Sequence, residues 1–252
     1  MNRLADTSLS GRVAVVTGGS RGIGRGIAEA LAARGAAVAV TYRERADAAE
    51  QVVKGIVDGG GRAWAGECDV SKPDSVEHVF EQIGANLGPA DILVNNAGIS
   101  ADAHIVMMDT HRWDTVIRTN LDGAYHCVRA CVRGMLLRRW GRVINVTSPS
   151  ALMPLPGQAN YAASKAGIIG LTRALSRDLA AKGVLVNAVS PGLIETEMLD
   201  GISPQALEGY LKAVAIGRTG NVSEIGAVVA FLASDAASYI TGQVIAVDGG
   251  LS

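Results

Sequence analysis

The sequence has little of what marks a nucleic-acid-binding or disordered protein. Only 19% of the 252 residues are charged and 4% are aromatic, and 23 basic residues face 24 acidic ones. We therefore expect neither a basic surface for DNA or RNA nor a row of aromatic side chains on which bases could stack. A hydrophobic content of 48% is ample for a buried core, which excludes a disordered chain.

Cysteine and histidine are also scarce. The three cysteines, Cys68, Cys127 and Cys131, do not make a disulfide framework. Cys127 and Cys131 stand four apart on a predicted helix, and we interpret them as small core residues, with a redox pair as the alternative. The four histidines form no pattern typical of zinc ligands, so no metal site is expected.

Long hydrophobic runs are missing as well. The first ten residues lack the apolar segment of a signal peptide, and no apolar run approaches the ~18 residues of a membrane-spanning helix. These two features favour a cytoplasmic location.

Glycine, by contrast, is abundant, and short runs of Val and Ile alternate with segments of helical period. The candidate strands are Val13–Thr17, Ala37–Tyr42, Ala63–Glu67, Ile92–Asn95, Val143–Thr147, Val184–Val189 and Val244–Val247. Several are continuously apolar, which is typical of parallel strands covered on both faces. Predicted helices between them include Asp74–Leu87 and Gln158–Lys182. The pattern predicts an α/β fold, a single doubly wound Rossmann-type domain with a seven-stranded, mainly parallel sheet and helices on both faces.

A glycine-rich turn, Thr17–Gly24, joins the first strand to the first helix. Glycines allow the backbone to approach a ligand closely, and the start of a helix offers free N–H groups to a pyrophosphate. The spacing Gly18, Gly22, Gly24 differs from the usual G-x-G-x-x-G, but its position in a β-α-β unit favours nucleotide binding over an ordinary turn.

The end of the second strand bears on which dinucleotide binds. Tyr42 stands where an acid would hold the ribose of NAD, Arg43 follows it, and Arg21 lies in the glycine turn. Two arginines favour the 2′-phosphate of NADP(H). The alternative is that Arg43 is a solvated charge and Glu44 binds the ribose. Asp69, after the third strand, is a candidate for the adenine amino group or for a local capping role.

Tyr161 and Lys165 are four residues apart on a predicted helix and therefore share a face. An ammonium group beside a phenol lowers its pKa and makes proton exchange feasible near neutral pH. Ser148, at the end of the fifth strand, could hydrogen-bond a carbonyl oxygen on which charge develops. The segment Asn95–Gly98 follows the fourth strand, where a nicotinamide ribose would lie.

Together these motifs resemble the short-chain dehydrogenase/reductase family from about Gly11 to Gly250. The matching motifs are T-G-x-x-x-G-I-G (Thr17–Gly24), N-N-A-G (Asn95–Gly98), Ser148, Y-x-x-x-K (Tyr161–Lys165) and P-G (Pro191-Gly192). The resemblance implies that Tyr161 is the general acid/base and that Lys165 lowers its pKa and holds the nicotinamide ribose. It implies that Ser148 positions the substrate oxygen and that Asn120 keeps a proton-relay water near the lysine. The cofactor-binding residues it implies are Gly18, Ser20, Arg21, Gly22, Ile23, Gly24, Tyr42, Arg43, Asp69, Val70, Asn96, Ala97, Gly98, Tyr161, Lys165, Pro191, Gly192, Ile194 and Thr196.

Within that family the chain is most similar to β-ketoacyl-acyl-carrier-protein reductases. The stretches that carry this likeness are Gly157–Tyr161, Asn187–Thr196 and Phe231–Asp235 followed by Tyr239–Gly242. It departs from them at Ala101, where an arginine is common, at Pro149 after the serine, and at Pro154 and Pro156. These departures suggest a specialised relative with an unusual acyl or polyketide substrate.

The resemblance also implies partners. Arg139 and Lys182 fall where such reductases meet an acidic carrier protein, although both could be solvated charges at helix ends. Segment Leu193–Val214, which contains Met198 and Leu199, would form a mobile lid. A homotetramer or homodimer is expected, and the helix face with Cys127, Val128 and Cys131 is compatible with that packing.

The sequence therefore predicts an NADPH-dependent ketoreductase of fatty acid or polyketide biosynthesis, with Tyr161 as proton donor to a 3-oxoacyl thioester. We place a short extension at residues 1–10 and one dinucleotide-binding and catalytic domain at residues 11–252. One alternative is an NAD-dependent dehydrogenase of a secondary alcohol such as a sugar or steroid. The other is a dinucleotide-binding regulator without turnover.

Overall fold

One parallel sheet organises the molecule. A computed structural model describes residues 6–197 and 204–252. The strands are β1 (Val13–Val16), β2 (Ala37–Tyr42), β3 (Arg62–Glu67), β4 (Ile92–Asn95), β5 (Gly141–Val146), β6 (Val184–Pro191) and β7 (Val244–Val247). Their spatial order is β3-β2-β1-β4-β5-β6-β7, and every neighbouring pair is parallel. The predicted Rossmann-type α/β fold is confirmed.

Helices cover both faces of the sheet. They are α1 (Gly22–Ala33), α2 (Ala46–Asp58), α3 (Pro73–Asn86), α4 (Thr110–Ile117), α5 (Gly123–Arg138), α6 (Ala159–Leu179), α7 (Pro204–Leu211) and α8 (Val222–Ala233). In β1, Ala14 and Val16 join the core under α1, α2 and α8, whereas Val13 and Val15 join the core under α3, α5 and α6. Burial on both faces explains why the strand is apolar at every position.

Several elements differ from their predicted bounds by one to three residues, and two of these differences have a clear physical reason. β5 begins at Gly141 rather than Val143, because Gly141 and Arg142 are buried and pair with β6 although neither is an apolar strand residue. The predicted helix Gln158–Lys182 ends as an α-helix at Leu179 and continues as a 3-10 turn to Lys182. Gly183 then has φ +84°, and a Cβ there would lie 2.1 Å from the carbonyl oxygen of Arg139.

The face of α5 that carries Cys127, Val128 and Cys131 packs inside the chain, against the sheet. The expectation that this face is available for subunit packing is wrong, because its side chains are at most 6% exposed. Burial raises the pKa of Cys131 to about 12, which keeps its thiol protonated. All three cysteines are free and buried, as small core residues are.

The residues before β1 are attached to the main body. Leu9 is buried, and its N–H donates to the carbonyl oxygen of Arg34 (2.8 Å). The division of the chain at residue 10 stays a prediction.

Two negative findings apply to residues 6–197 and 204–252 only. No helix there is both long and apolar enough to cross a membrane. Nor do three His, Cys, Asp or Glu side chains converge there as metal ligands would.

Candidate active site

The predicted motifs meet at one edge of the sheet. Thr17 directly follows β1, Asn96 follows β4, Ser148 lies two residues beyond β5, and Gly192 directly follows β6. Because all strands are parallel, these positions share the edge formed by the carboxyl ends. The strand order reverses between β1 and β4, which is where ligands bind in doubly wound sheets.

The glycine turn is folded tightly around Asn96. The side-chain amide of Asn96 donates to the carbonyl oxygens of Thr17 (2.9 Å) and Gly18 (3.0 Å). Gly18 has φ +62°, and a Cβ on Gly24 would lie 2.3 Å from the carbonyl oxygen of Gly18. A side chain at position 24 would therefore collide with the backbone of the turn, which explains why this spacing needs glycine.

Hydrogen bonds of the Thr17 side chain connect the turn to the segment after β4. Its hydroxyl accepts from the N–H groups of Asn96 and Ala97, both at 3.0 Å, and donates to the carbonyl oxygen of Val94 (3.3 Å). Thr17 was predicted only as part of the glycine motif, without a role of its own. Its position directly after a buried strand was the available signal.

The start of α1 faces this turn. The helix begins at Gly22, after Arg21, and its first turn contains no acidic side chain. Ser20 is buried and Ile23 half-buried beside it. The free N–H groups and the positive end of the helix dipole suit a diphosphate here.

The segment after β6 returns to the glycine turn. The backbone of Gly192 passes so close to Asp248 that a Cβ on Gly192 would lie 2.6 Å from the Cα of Asp248. A Cβ on Gly22 would lie 3.4 Å from the methyl group of Thr196. Thr196 thus borders the glycine turn, whereas contacts of Pro191, Gly192 and Ile194 with a cofactor stay a prediction.

Charged side chains at the other end of the cleft are exposed and paired. Arg43 Nε donates to Glu44 Oε1 (2.8 Å), and Arg21 Nη1 donates to Glu197 Oε2 (2.9 Å). Tyr42 is half-buried at the end of β2. A 2′-phosphate would compete with these exposed carboxylates for the two guanidinium groups.

Asp69 has a local role in this structure. Its Oδ1 accepts from the N–H (3.1 Å) and the hydroxyl (2.6 Å) of Ser71, in the turn that precedes α3. Burial opposes ionisation, but these hydrogen bonds outweigh it and lower the pKa of Asp69. Val70 is buried against Gly123. Contacts of Asp69 and Val70 with adenine stay a prediction.

Lys165 is the most buried cation of the site. It is 5% exposed, and its Nζ donates to the carbonyl oxygen of Val146 (2.9 Å). Burial lowers its pKa to about 8, so most molecules still carry the ammonium group at pH 7. A Cβ on Gly98 would lie 3.5 Å from the same nitrogen, which shows how closely the N-N-A-G segment approaches it.

Tyr161 and Ser148 lie next to Lys165. The Nζ of Lys165 is 5.6 Å from the centre of the Tyr161 ring. Burial raises the pKa of Tyr161, while a hydrogen bond with the Ser148 side chain opposes that rise and Asp102 adds to it. Burial dominates in this structure, and the lowering of this pKa by Lys165 that the family resemblance implies stays a prediction.

Asn120 lies in a π-helical turn, Arg118–Asp122, between α4 and α5. Its Oδ1 accepts from the N–H of Ile99 (2.8 Å), and its Nδ2 donates to the carbonyl oxygen of Ile99 (3.0 Å) and to Ser164 Oγ (3.0 Å). The wider turn places this side chain between the N-N-A-G segment and α6, and such turns are common at functional sites.

A ring of hydrogen bonds fixes the backbone of Tyr161. The hydroxyl of Ser164 donates to the carbonyl oxygen of Tyr161 (2.7 Å), and the N–H of Tyr161 donates to Asn160 Oδ1 (2.7 Å). Asn160 Nδ2 donates to the carbonyl oxygen of Ala101 (3.0 Å). Ala101 lies two residues after Ile99, whose N–H donates to Asn120 Oδ1 and so completes the ring. Asn160 and Ser164 are fully buried and were missed, although both stand inside quoted motifs.

The predicted lid is only partly described. Met198 and Leu199 lie outside the described residues, whereas α7 presents half-buried Leu207, Tyr210 and Leu211. The closing motion itself stays a prediction.

Known proteins are similar to this chain along nearly its entire length. Residues 18–252 match the family model described as enoyl-(acyl carrier protein) reductase. The 3-oxoacyl-(acyl-carrier-protein) reductase FabG of Staphylococcus epidermidis is 45% identical over 94% of this chain and 98% of its own length. The chain belongs to the short-chain dehydrogenase/reductase family.

Other members of this short-chain family agree with that assignment. The FabG proteins of Salmonella typhimurium and Escherichia coli are 46% and 44% identical, each over 97% of this chain and 98% of its own length. The solved structure of a gluconate 5-dehydrogenase from Burkholderia cenocepacia, in complex with NADP and tartrate, has a TM-score of 0.93 at 34% identity. It covers 98% of both chains.

Arg139 and Lys182, the carrier-docking candidates, are neighbours at the opposite edge of the sheet. Arg139 ends α5 in a left-handed conformation (φ 52°), and its carbonyl oxygen faces Gly183, the residue after Lys182. Both side chains are exposed, and β5 and β6 begin beside them. They are therefore separated from Ser148 and Tyr161 by the length of a strand, roughly 20 Å.

Proposed function

We propose that this protein is an NADPH-dependent ketoreductase that converts a 3-oxoacyl thioester, carried by an acyl carrier protein, to the 3-hydroxyacyl thioester. The observation that carries the proposal is the convergence of Ser148, Tyr161 and Lys165 beside the glycine turn. Support comes from FabG relatives at 44–46% identity along nearly the entire chain. The proposal includes a role in fatty acid or polyketide biosynthesis and a cytoplasmic location.

The residues of the cleft fit a phosphorylated dinucleotide. A Cβ at Gly24 would fill the turn where a diphosphate approaches the N-terminus of α1. Lys165 and the N-N-A-G segment would hold the nicotinamide ribose, and Arg21 and Arg43 would hold the 2′-phosphate. When bound, NADPH supplies the hydride that reaches the carbonyl carbon of the substrate.

The side chains of this protein supply the proton and the orientation. Ser148 hydrogen-bonds the ketone oxygen and holds it beside Tyr161. The phenol of Tyr161 donates its proton to that oxygen as the C=O bond becomes a C–O–H group. At pH 7 the phenol of Tyr161 is protonated, which is the form that can donate a proton to the ketone oxygen.

Lys165 and Asn120 then restore the proton. The ammonium group of Lys165, with a pKa of about 8, can pass a proton towards the phenolate of Tyr161. Asn120 would hold the relay water that connects Lys165 to solvent. The carbonyl oxygen of Val146 keeps the Lys165 nitrogen in place throughout.

The carrier protein would bind at Arg139 and Lys182. Since this patch lies at the far edge of the sheet, a carrier docked there would deliver its acyl group to the active site of a neighbouring subunit. The proposal therefore includes a homo-oligomer, with a tetramer as the expected state.

The test is NADPH consumption by the purified protein with a 3-oxobutyryl thioester, keto sugar acids and simple ketones, together with NAD⁺ or NADP⁺ reduction by gluconate-type sugar acids. We expect the thioester to be the preferred substrate and Arg139→Glu to raise the KM for the carrier-bound thioester only. A preference for a sugar acid with NAD would favour the secondary-alcohol dehydrogenase. Cofactor binding without any turnover would favour the regulator.

A further inference from the structure

Two segments beside the reaction centre expose apolar side chains. In the first, Ile105, Val106 and Met107 are 71%, 86% and 73% exposed; in the second, Leu152, Met153 and Leu155 are 76%, 47% and 47% exposed. We call these six residues the apolar rim. Single exposed apolar side chains are ordinary, but a cluster on two neighbouring segments marks a binding surface.

Hydrogen bonds join the two segments. The N–H of Ala103 donates to the carbonyl oxygen of Gly157 (2.9 Å), and Gln158 Nε2 donates to Asp102 Oδ2 (3.3 Å). A Cβ on Gly157 would lie 3.6 Å from the backbone of Ala103, so the two chains run in contact. The two segments that carry the apolar rim are therefore joined side by side next to it and form one surface at this edge of the sheet.

That surface begins at the catalytic serine. The N–H of Ala151 donates to the carbonyl oxygen of Ser148 (3.0 Å), and the N–H of Leu152 donates to that of Pro149 (2.9 Å). A turn of this kind keeps Leu152 within ~11 Å of Ser148 between Cα atoms. The other end of the same segment reaches Tyr161 through Gln158. A substituent on a ketone held by Ser148 and Tyr161 would thus leave the centre alongside the apolar rim.

The second segment is stiff. Three of the seven prolines of the chain, Pro149, Pro154 and Pro156, lie within it. Proline restricts the unbound backbone, so less conformational entropy is lost when a ligand binds. A stiff apolar surface is suited to an alkyl chain, whereas a hydroxylated sugar would leave its polar groups unpaired there.

We propose that the apolar rim binds the alkyl chain of the substrate and makes the enzyme selective for medium- and long-chain 3-oxoacyl thioesters over the four-carbon one. The inference rests on the proposed function and assigns its chain-length specificity to Ile105, Val106, Met107, Leu152, Met153 and Leu155. Burial of apolar surface on both partners drives the preference.

The experiment measures kcat/KM of the full chain with 3-oxobutyryl, 3-oxooctanoyl and 3-oxododecanoyl thioesters of pantetheine. We expect kcat/KM to rise with chain length in the unaltered protein. Leu152→Ser and Met107→Ser should each reduce the ratio of dodecanoyl to butyryl kcat/KM by about tenfold. Val57→Ser, a matched control at a 50% exposed residue of α2, should leave the ratio unchanged.

Three results would overturn the inference. The first is a ratio of dodecanoyl to butyryl kcat/KM near one in the unaltered protein. The second is the same ratio in the rim variants as in the unaltered protein. The third is a change of oligomeric state in the rim variants at constant ratio, which would mean that a second copy covers the rim. Failure to reduce any 3-oxoacyl thioester would remove the proposed function itself.

Discussion

The two ends of the cofactor cleft are built in opposite ways. At the reaction centre, Lys165 and Asn120 are at most 5% exposed and each has fixed hydrogen-bond partners. At the other end, the Arg21 and Arg43 side chains are 59% and 49% exposed and pair with carboxylates that are 59% and 70% exposed. Chemistry needs atoms held in one geometry, whereas the choice of cofactor needs only charges that can change partners.

The most damaging change to the buried end should be Tyr161→Phe. Loss of the proton donor should reduce kcat for a 3-oxoacyl thioester by about a thousandfold, the scale of general acid catalysis. Steady-state NADPH oxidation measures it, with circular dichroism to verify folding. A variant as active as the unaltered protein would exclude Tyr161 as the proton donor.

Lys165→Met should abolish most activity and yet stabilise the fold. A buried lysine whose pKa falls from 10.5 to about 8 costs ~3 kcal/mol below pH 8, because folded and unfolded states are then both charged. Loss of the hydrogen bond to Val146 cancels about 1 kcal/mol of this stabilisation. The free energy of unfolding of Lys165→Met should therefore exceed that of the unaltered protein by about 2 kcal/mol at pH 7.

The pH dependence distinguishes this effect from simple repacking. Between pH 8 and 10.5 the unfolded lysine binds more protons than the folded one, so the unaltered protein gains stability as the pH rises. Urea unfolding at pH 7 and pH 10 should therefore show a smaller advantage for Lys165→Met at pH 10. An advantage independent of pH would contradict the assigned cause.

Asn160→Ala tests the hydrogen-bond ring. Tyr161 would keep its phenol but lose the anchor of its N–H group, so kcat should fall about thirtyfold and the pKa seen in the pH profile of kcat should shift. Asn86→Ala, at an exposed asparagine of α3, serves as the control. A loss of stability with an unchanged pH profile would reduce Asn160 to a structural role.

Substitutions at the exposed end of the cofactor cleft should have the smallest effects. Arg43→Ala should weaken NADPH binding about tenfold in a fluorescence titration and leave NADH binding nearly unchanged, because only NADPH carries the 2′-phosphate. Arg25→Ala removes a similarly exposed arginine of α1 and should change neither affinity. Equal weakening for both cofactors would argue that Glu44 and the ribose set the specificity.

The fold was predictable because buried parallel strands are apolar throughout and glycines mark their turns. The early start of β5 was not, since Gly141 and Arg142 carry no apolar signal and are buried by their pairing with β6. In the site, the residues proposed to touch ligands stand in recognisable motifs. Asn160 donates to the backbone of Ala101 and Ser164 accepts from the side chain of Asn120, and such partners in other segments are visible only after the chain has folded.

The depth at which Tyr161 and Lys165 are buried could not be predicted from the sequence. Four-residue spacing correctly placed Lys165 on the same helix face, but it could not give the depth of burial, which decides the pKa of both groups. The face of α5 with Cys127 failed for a related reason, because apolar composition does not distinguish a core from an interface.

The most direct test of the central claim is a competition between equimolar 3-oxobutyryl and 2-butenoyl thioesters with NADPH deuterated at nicotinamide C4. Mass spectrometry of the products then locates the transferred hydride. We predict that only the ketone is consumed and that one deuterium appears at C3 of the 3-hydroxybutyryl product. Consumption of the 2-butenoyl thioester to a saturated product would contradict the account, because it would place the reaction at a C=C bond.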